Sequence, residues 1–121
     1  TYRVYAQSDV VFEGSATAGV DTGGFDTIFT SADYSLLAND AAIAGAAGTA
    51  VNALFTDEAV TQQIEVLSAA DQAGTTALTL TGNQLAQTII GNAGDNTFNT
   101  GGGTGAGAID RLIGLGGNDT Y

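Results

Sequence analysis

The chain has 121 residues and a formal net charge of -11, which comes from 13 acidic residues against two arginines. This balance excludes a surface for nucleic acids or anionic membranes, because such surfaces need clustered lysine and arginine. Cysteine and histidine are absent, which excludes disulfides, thiolate metal sites and the catalytic triads built on those residues.

Residues 1–37 predict an N-terminal β segment that continues from a preceding repeat. Apolar residues within 2–12 indicate short strands around a Gln-Ser-Asp turn at 7–9. Residues 28–29 and 34–37 indicate two further strands. At this chain length, all of these elements belong to a single module.

Residues 38–63 are rich in alanine and glycine, and we interpret them as an insertion with a helical turn near 39–47. Beyond the insertion, the spacing of Val60, Ile64 and Leu67 fits a helix. Residues 63–67 also fit a strand. We favour the strand.

The last part of the chain, 64–121, is dominated by a nine-residue rhythm. Large apolar residues recur at positions 80, 89, 98, 112 and 121, in steps of nine residues except for one step of nine plus five. Turns of glycine, asparagine and aspartate lie between them, as in Gly91-Asn92-Ala93-Gly94. A very short strand and a tight turn, repeated in this way, predict a parallel β-roll whose turns bind calcium.

The rhythm resembles the repeat of the hemolysin-type calcium-binding family, the RTX proteins, which is G-G-x-G-x-D-x-U-x with U a large apolar residue. The run 114–121 keeps the glycines and has Asp119 at position six. The run 91–99 has Asn96 there, and the two poorer runs have Asp110 and Gln87. The resemblance implies an all-β fold, a parallel β-roll or β-solenoid, stabilised by Ca²⁺.

Position six is the expected source of side-chain ligands. Alternate turns of a roll fall on the same edge, so the partners of a site lie two repeats apart. This pairs Asn96 with Asp119 and Gln87 with Asp110. Calcium takes six to eight oxygen ligands, and glycine-rich turns offer backbone carbonyls beside these side chains.

The candidate metal residues implied by the resemblance are the turn glycines with their neighbours and the position-six side chains. They are Gly91, Ala93, Asp95, Asn96, Asp110, Gly114, Gly116 and Asp119, with Asp26 from a further turn at 23–28. For the other acids we expect ordinary solvated turns, since Asp and Asn favour turns without any metal. These are Asp33, Asp40, Asp57, Glu58, Glu65 and Asp71.

The function that this resemblance implies is a non-enzymatic, calcium-binding structural module of a secreted bacterial protein. Members of the family leave the cell unfolded by type I secretion, a one-step export route, and fold in extracellular calcium. We expect a tandem array at the cell surface, such as a filament, surface layer or adhesin stalk, in which the partners are copies of the same module. Thr-Tyr at both 1–2 and 120–121 favours such an array. If copies stack, Asp110 and Asp119 would face Asp9, Glu13 or Asp26 of the next copy.

Two other functions stay open. The chain could be the export and folding region of a secreted toxin, protease or lipase, whose activity lies elsewhere. It could also be an adhesin module that contacts a carbohydrate or a cell surface through Tyr2, Tyr5 and Tyr34, although tyrosines more often serve packing. The chain contains no apolar run long enough to insert into a membrane.

Overall fold

The computed structural model describes residues 1–11, 24–38, 64–101 and 109–121. These residues form eight short strands, and every strand pairing between them is parallel. The strands are β1 (Tyr2–Val4), β2 (Thr27–Thr30), β3 (Tyr34–Ser35), β4 (Val66–Ala69), β5 (Thr79–Thr81), β6 (Thr88–Ile90), β7 (Thr97–Asn99) and β8 (Arg111–Ile113). The protein is therefore an all-β protein with parallel sheets.

From β2 onwards, consecutive strands alternate between two sheets. The first sheet has the order β1-β2-β4-β6-β8 and the second has the order β3-β5-β7. An isolated parallel bridge between Thr97 and Thr120 extends the second sheet by one pairing. Strands of two to four residues are too short to be stable alone, so each one depends on its neighbours in the sheet.

The core includes the central residues of several strands together with buried residues beside them, such as Leu36, Ile64 and Leu78. Ile28, Leu67 and Ile89 are paired in register in the first sheet and are fully buried. In the second sheet Leu80 pairs with Phe98, and both belong to the same hydrophobic cluster. Threonine and β-branched residues flank the central positions, which suits strands with one buried face.

Four of the five strands predicted in the nine-residue rhythm are confirmed as β5 to β8, whereas at the fifth position Tyr121 is 69% exposed beside an isolated bridge at Thr120. The predicted strand at 28–29 is confirmed as β2. The predicted strand at 34–37 is only half right, because residues 36–38 have helical geometry. Near Leu67 the structure has a strand, as favoured over the helix, although it runs from Val66 to Ala69. The predicted helical turn at 39–47 lies outside the described residues.

The two Thr-Tyr dipeptides occupy different sheets. Tyr2 pairs with Ile28 in the first sheet, whereas Thr120 pairs with Thr97 in the second. That the dipeptides mark one period of an array stays a prediction.

A side chain covers the outer edge of β3. The Gln7 carboxamide accepts a hydrogen bond from the Ser35 backbone N–H at 2.6 Å and donates one to the Ser35 carbonyl at 3.3 Å. Both backbone groups of Ser35 are thereby paired without a further strand.

The turns of neighbouring strands stack closely enough that glycine is required at some positions. A Cβ on Gly94 would overlap the Thr75 carbonyl, and a Cβ on Gly117 would overlap the Gly94 carbonyl. Gly117 also has a φ of 90°, a region that side chains disfavour. At Gly116 an added Cβ would lie 3.3 Å from the Cα of Ala93, a tight contact that small shifts relieve.

We predict that Gly94→Ala destabilises the protein by roughly 1–3 kcal/mol, because the new methyl group must push apart two backbones. Gly116→Ala, the same substitution in the neighbouring turn, should cost clearly less. Urea denaturation followed by circular dichroism measures both. Equal losses for the two variants would contradict the close stacking at Gly94.

Candidate functional site

The residue two positions before the central residue of β2 and of β4 to β8, and two positions before Tyr121, corresponds to position six of the nine-residue repeat. We call these residues the position-six residues. In the first sheet they are Asp26, Glu65, Gln87 and Asp110, and in the second sheet they are Leu78, Asn96 and Asp119.

In the first sheet, position-six side chains accept backbone hydrogen bonds from the strand before them. The Glu65 carboxylate accepts the N–H of Asp26 at 2.6 Å. The Asp110 carboxylate accepts the N–H of Gln87 at 2.9 Å. In both cases the donor is the position-six residue of the neighbouring strand, so each acid ties its own turn to the previous one.

The second sheet follows the same rule. Asn96 Oδ1 accepts the N–H of Leu78 at 3.3 Å, and Asp119 Oδ1 accepts the N–H of Asn96 at 2.9 Å. The structure thus brings together both predicted pairs, Asn96 with Asp119 and Gln87 with Asp110. That these residues bind calcium stays a prediction.

The carboxamide of Asn96 is oriented with its nitrogen, not its oxygen, towards the predicted site. Nδ2 donates to the Gly94 carbonyl at 2.7 Å, the Asn92 carbonyl at 3.2 Å and Asp119 Oδ1 at 3.2 Å. The Asn96 side chain is only 1% exposed. As oriented, Asn96 therefore contributes a hydrogen-bond donor to this turn and not the oxygen ligand expected from the sequence.

Two buried side-chain amides, those of Asn83 and Gln87, bond to each other in the turn before β6. Gln87 Nε2 donates to Asn83 Oδ1, and Gln87 Oε1 accepts the Asn83 N–H at 3.1 Å. Asn83 and Gln87 are 0% and 3% exposed. Gln87 departs from the rule because its longer side chain bonds within its own turn, and the apolar side chain of Leu78 cannot accept a hydrogen bond.

Sequence analysis missed Asn83 and Asn92, which support these two turns. Asn92 is 3% exposed and its carboxamide bonds the Thr76 carbonyl at 2.7 Å and the Gly94 N–H at 2.9 Å. The signal was present, because Gly-Asn occurs at 82–83 and again nine residues later at 91–92.

The other candidate metal residues in these turns make different hydrogen bonds. Asp95 is exposed, and its carboxylate accepts the N–H of Asn118 at 2.7 Å. Gly91 and Ala93 donate backbone hydrogen bonds to the Ile113 and Gly74 carbonyls, at 2.8 and 2.9 Å.

Gly114 and Gly116 lie in the last turn. A Cβ on Gly114 would overlap the Asp119 carboxylate, so the glycine leaves room for that acid.

Asp26 is not beside Asp110, because β4 and β6 separate their strands. Its neighbour is Glu65, which sequence analysis assigned to a solvated turn. The sequence contained a signal for this role, because Glu65 lies two residues before the apolar Leu67, as position six lies two residues before the apolar residue of the repeat. Asp26 is 8% exposed, and its carboxylate pairs with the Thr1 amino group at 2.9 Å.

Asp71 behaves as expected for an ordinary turn, since its carboxylate accepts the Ala73 N–H at 3.1 Å. Asp33 is likewise exposed, and its carboxylate accepts the N–H of Thr79, 46 residues away, at 2.8 Å.

The described residues contain no group of three or more acidic side chains placed to hold a metal ion. The oxygen atoms available in their turns are single carboxylates and backbone carbonyls, a mixture that calcium accepts. Among the same residues, no helix has the length and apolar character needed to cross a membrane. No known protein family, curated protein or solved structure matches the chain.

We predict that Asp119→Ala lowers the free energy of unfolding by about 1–3 kcal/mol in a calcium chelator, because the buried N–H of Asn96 loses a charged acceptor. Asp119→Asn keeps an oxygen acceptor and should cost less. Urea denaturation of both variants provides the measurement. A loss as large in Asp119→Asn as in Asp119→Ala would show that the charge, not the hydrogen bond, matters in the absence of metal.

Proposed function

We propose that the protein is a calcium-stabilised β-roll, a structural module of a secreted bacterial protein without enzymatic activity. The observation that carries the proposal is the stacking of position-six residues on neighbouring strands, which include the adjacent acids Asp26 and Glu65. Its first support is the chain path, because consecutive parallel strands that alternate between two sheets follow the course of a roll. In such a roll, one strand from each sheet and the turns between them make one coil.

The second support is electrostatic. Neighbouring strands of a sheet are about 4.8 Å apart, so carboxylates on adjacent coils repel each other. Asp26 and Glu65 are adjacent in this way. The one ion pair in the described residues joins Asp26 to the Thr1 amino group, and Arg3 lies over the Phe29 ring at 5.6 Å. The Thr1 amino group thus compensates the charge of Asp26, and bound cations would reduce the repulsion among the other acidic residues of a chain with a net charge of -11.

The residues that would hold calcium are the carboxylates of Asp119 and Asp110 in the last coil and the pair Asp26 and Glu65 in an earlier one. Carbonyls of the glycine-rich turns would complete the oxygen shell. Calcium would supply a cross-link between coils. Because it would bind the folded state and not the unfolded state, it would stabilise the folded state by mass action. Such cross-links would serve in place of disulfides, which the chain lacks.

The proposed setting is extracellular, with copies of the module as partners. The support for self-association is the end of the stack formed by β8 and Thr120. Three large apolar side chains near this end are exposed: Ile109 by 80%, Leu115 by 53% and Tyr121 by 69%. A second copy seated there would cover them and continue the sheets.

We predict that calcium raises the melting temperature of the protein, and that a chelator reverses the rise. A free calcium concentration 100 times the dissociation constant gives about 2.7 kcal/mol for one site. Thermal unfolding followed by circular dichroism measures the shift, with magnesium at the same concentration as the control. An unchanged melting temperature at millimolar calcium would remove the proposal.

We further predict that calcium promotes association of copies, which sedimentation velocity detects. The double variant Ile109→Lys/Leu115→Lys should associate less, because it places charges at the end of the stack. Leu85→Lys introduces the same charge at a turn in the middle of the stack, where Leu85 is 37% exposed, and serves as the control. Equal association of the double variant and the wild-type protein would exclude this end as the contact.

A further inference from the structure

The turn between β6 and β7 contains a hydrogen-bond donor that is surrounded by oxygen atoms, as a bound cation would be. The Asn96 NH₂ group has three oxygen atoms around it, two from backbone carbonyls and one from the Asp119 carboxylate. These are the kinds of oxygen that calcium binds. We propose that this NH₂ group takes the place of a cation, so that the coil closes here without metal.

The orientation of the carboxamide follows from its other end. Asn96 Oδ1 accepts the backbone N–H of Leu78, which can only donate. Reversing the carboxamide would set an NH₂ group against that N–H and an oxygen against three oxygens. The hydrogen-bonding partners therefore fix the nitrogen in the turn.

The space around the group is also filled. A Cβ built on Gly91 would lie 2.8 Å from Asn96 Nδ2 and 2.8 Å from the Phe98 ring. Asn96 itself is 1% exposed. Because calcium requires oxygen ligands, it could bind here only after the Asn96 side chain had turned away and the Leu78 N–H had lost its acceptor.

The turn that contains Gln87, before β6, repeats the arrangement with different atoms. Gln87 Nε2 donates to Asn83 Oδ1, so a side-chain amide again bonds the oxygen of its own turn. Amides thus occupy position six before β6 and β7, and acids occupy it before β2, β4 and β8 and before the bridge at Thr120. Within the proposed calcium-stabilised roll, this inference confines the requirement for metal to the coils with a carboxylate at position six.

The decisive variant is Asn96→Asp, which replaces the NH₂ group with a carboxylate oxygen and keeps the size of the side chain. In a chelator, four oxygens would then face one another, and we expect the melting temperature to fall by roughly 10 °C. Calcium should restore the loss, and isothermal titration calorimetry should find one more calcium site than in the wild-type protein. Asn99→Asp adds the same charge at an exposed position on β7 and should show neither effect.

A measurement on the wild-type protein tests the same point without a variant. The Asn96 NH₂ protons should exchange slowly with water in a chelator, and the Asn96 carboxamide ¹³C resonance should not shift when calcium is added. A calcium-dependent shift of that carbon as large as those of the Asp110 and Asp119 carboxyl carbons would overturn the inference. If Asn96→Asp fails to fold even with calcium, this spectrum decides the question.

The outcomes separate the inference from the proposed function. If the wild-type protein ignores calcium but Asn96→Asp responds to it, the inference stands and the proposed function falls. If both respond to the same degree and bind the same number of ions, the inference falls and the proposed function stands.

Discussion

The structure depends on one hydrogen bond that recurs from strand to strand. A side chain at position six accepts the backbone N–H of the equivalent residue on the previous strand, as Asp119 does for Asn96. A buried N–H without an acceptor costs about 1–3 kcal/mol, and strands of three residues have few other bonds to offset such a loss. The position-six side chain therefore helps to hold neighbouring turns in register, beside the backbone bond that the position-six carbonyl accepts from the next strand.

The same position can be occupied by an acid or an amide, and the two have opposite consequences. Asn96, like Glu65, Asp110 and Asp119, offers an oxygen to the N–H of the previous strand. An amide brings its own donor to bond the surrounding carbonyls, as Asn96 does. A carboxylate has no donor, and it adds a charge to a chain that already carries -11. The identity of one residue per turn thus decides whether a coil is complete in itself.

Much of the fold could be predicted from the sequence, because the nine-residue period directly reflects one short strand and one turn. The pairing of Asn96 with Asp119 followed from the same period. The role of Asn96 did not follow, since a sequence shows which residue is present but not which atom of its carboxamide faces the turn. That orientation depends on the N–H of Leu78, 18 residues away. Glu65 was missed because its turn lies upstream of the regular repeats.

The hydrogen bonds between the Gln7 carboxamide and the Ser35 backbone make the two edges of the second sheet different. At the β3 side of the second sheet, both backbone groups of Ser35 are already satisfied, so a new strand could be added there only after Gln7 had been displaced. At the Thr120 side, the described part of the chain shows no comparable side chain bonded across the strand edge. The two edges of the second sheet are thus unequal, because a side chain already pairs the backbone of Ser35 at one edge and none is seen across the other among the described residues.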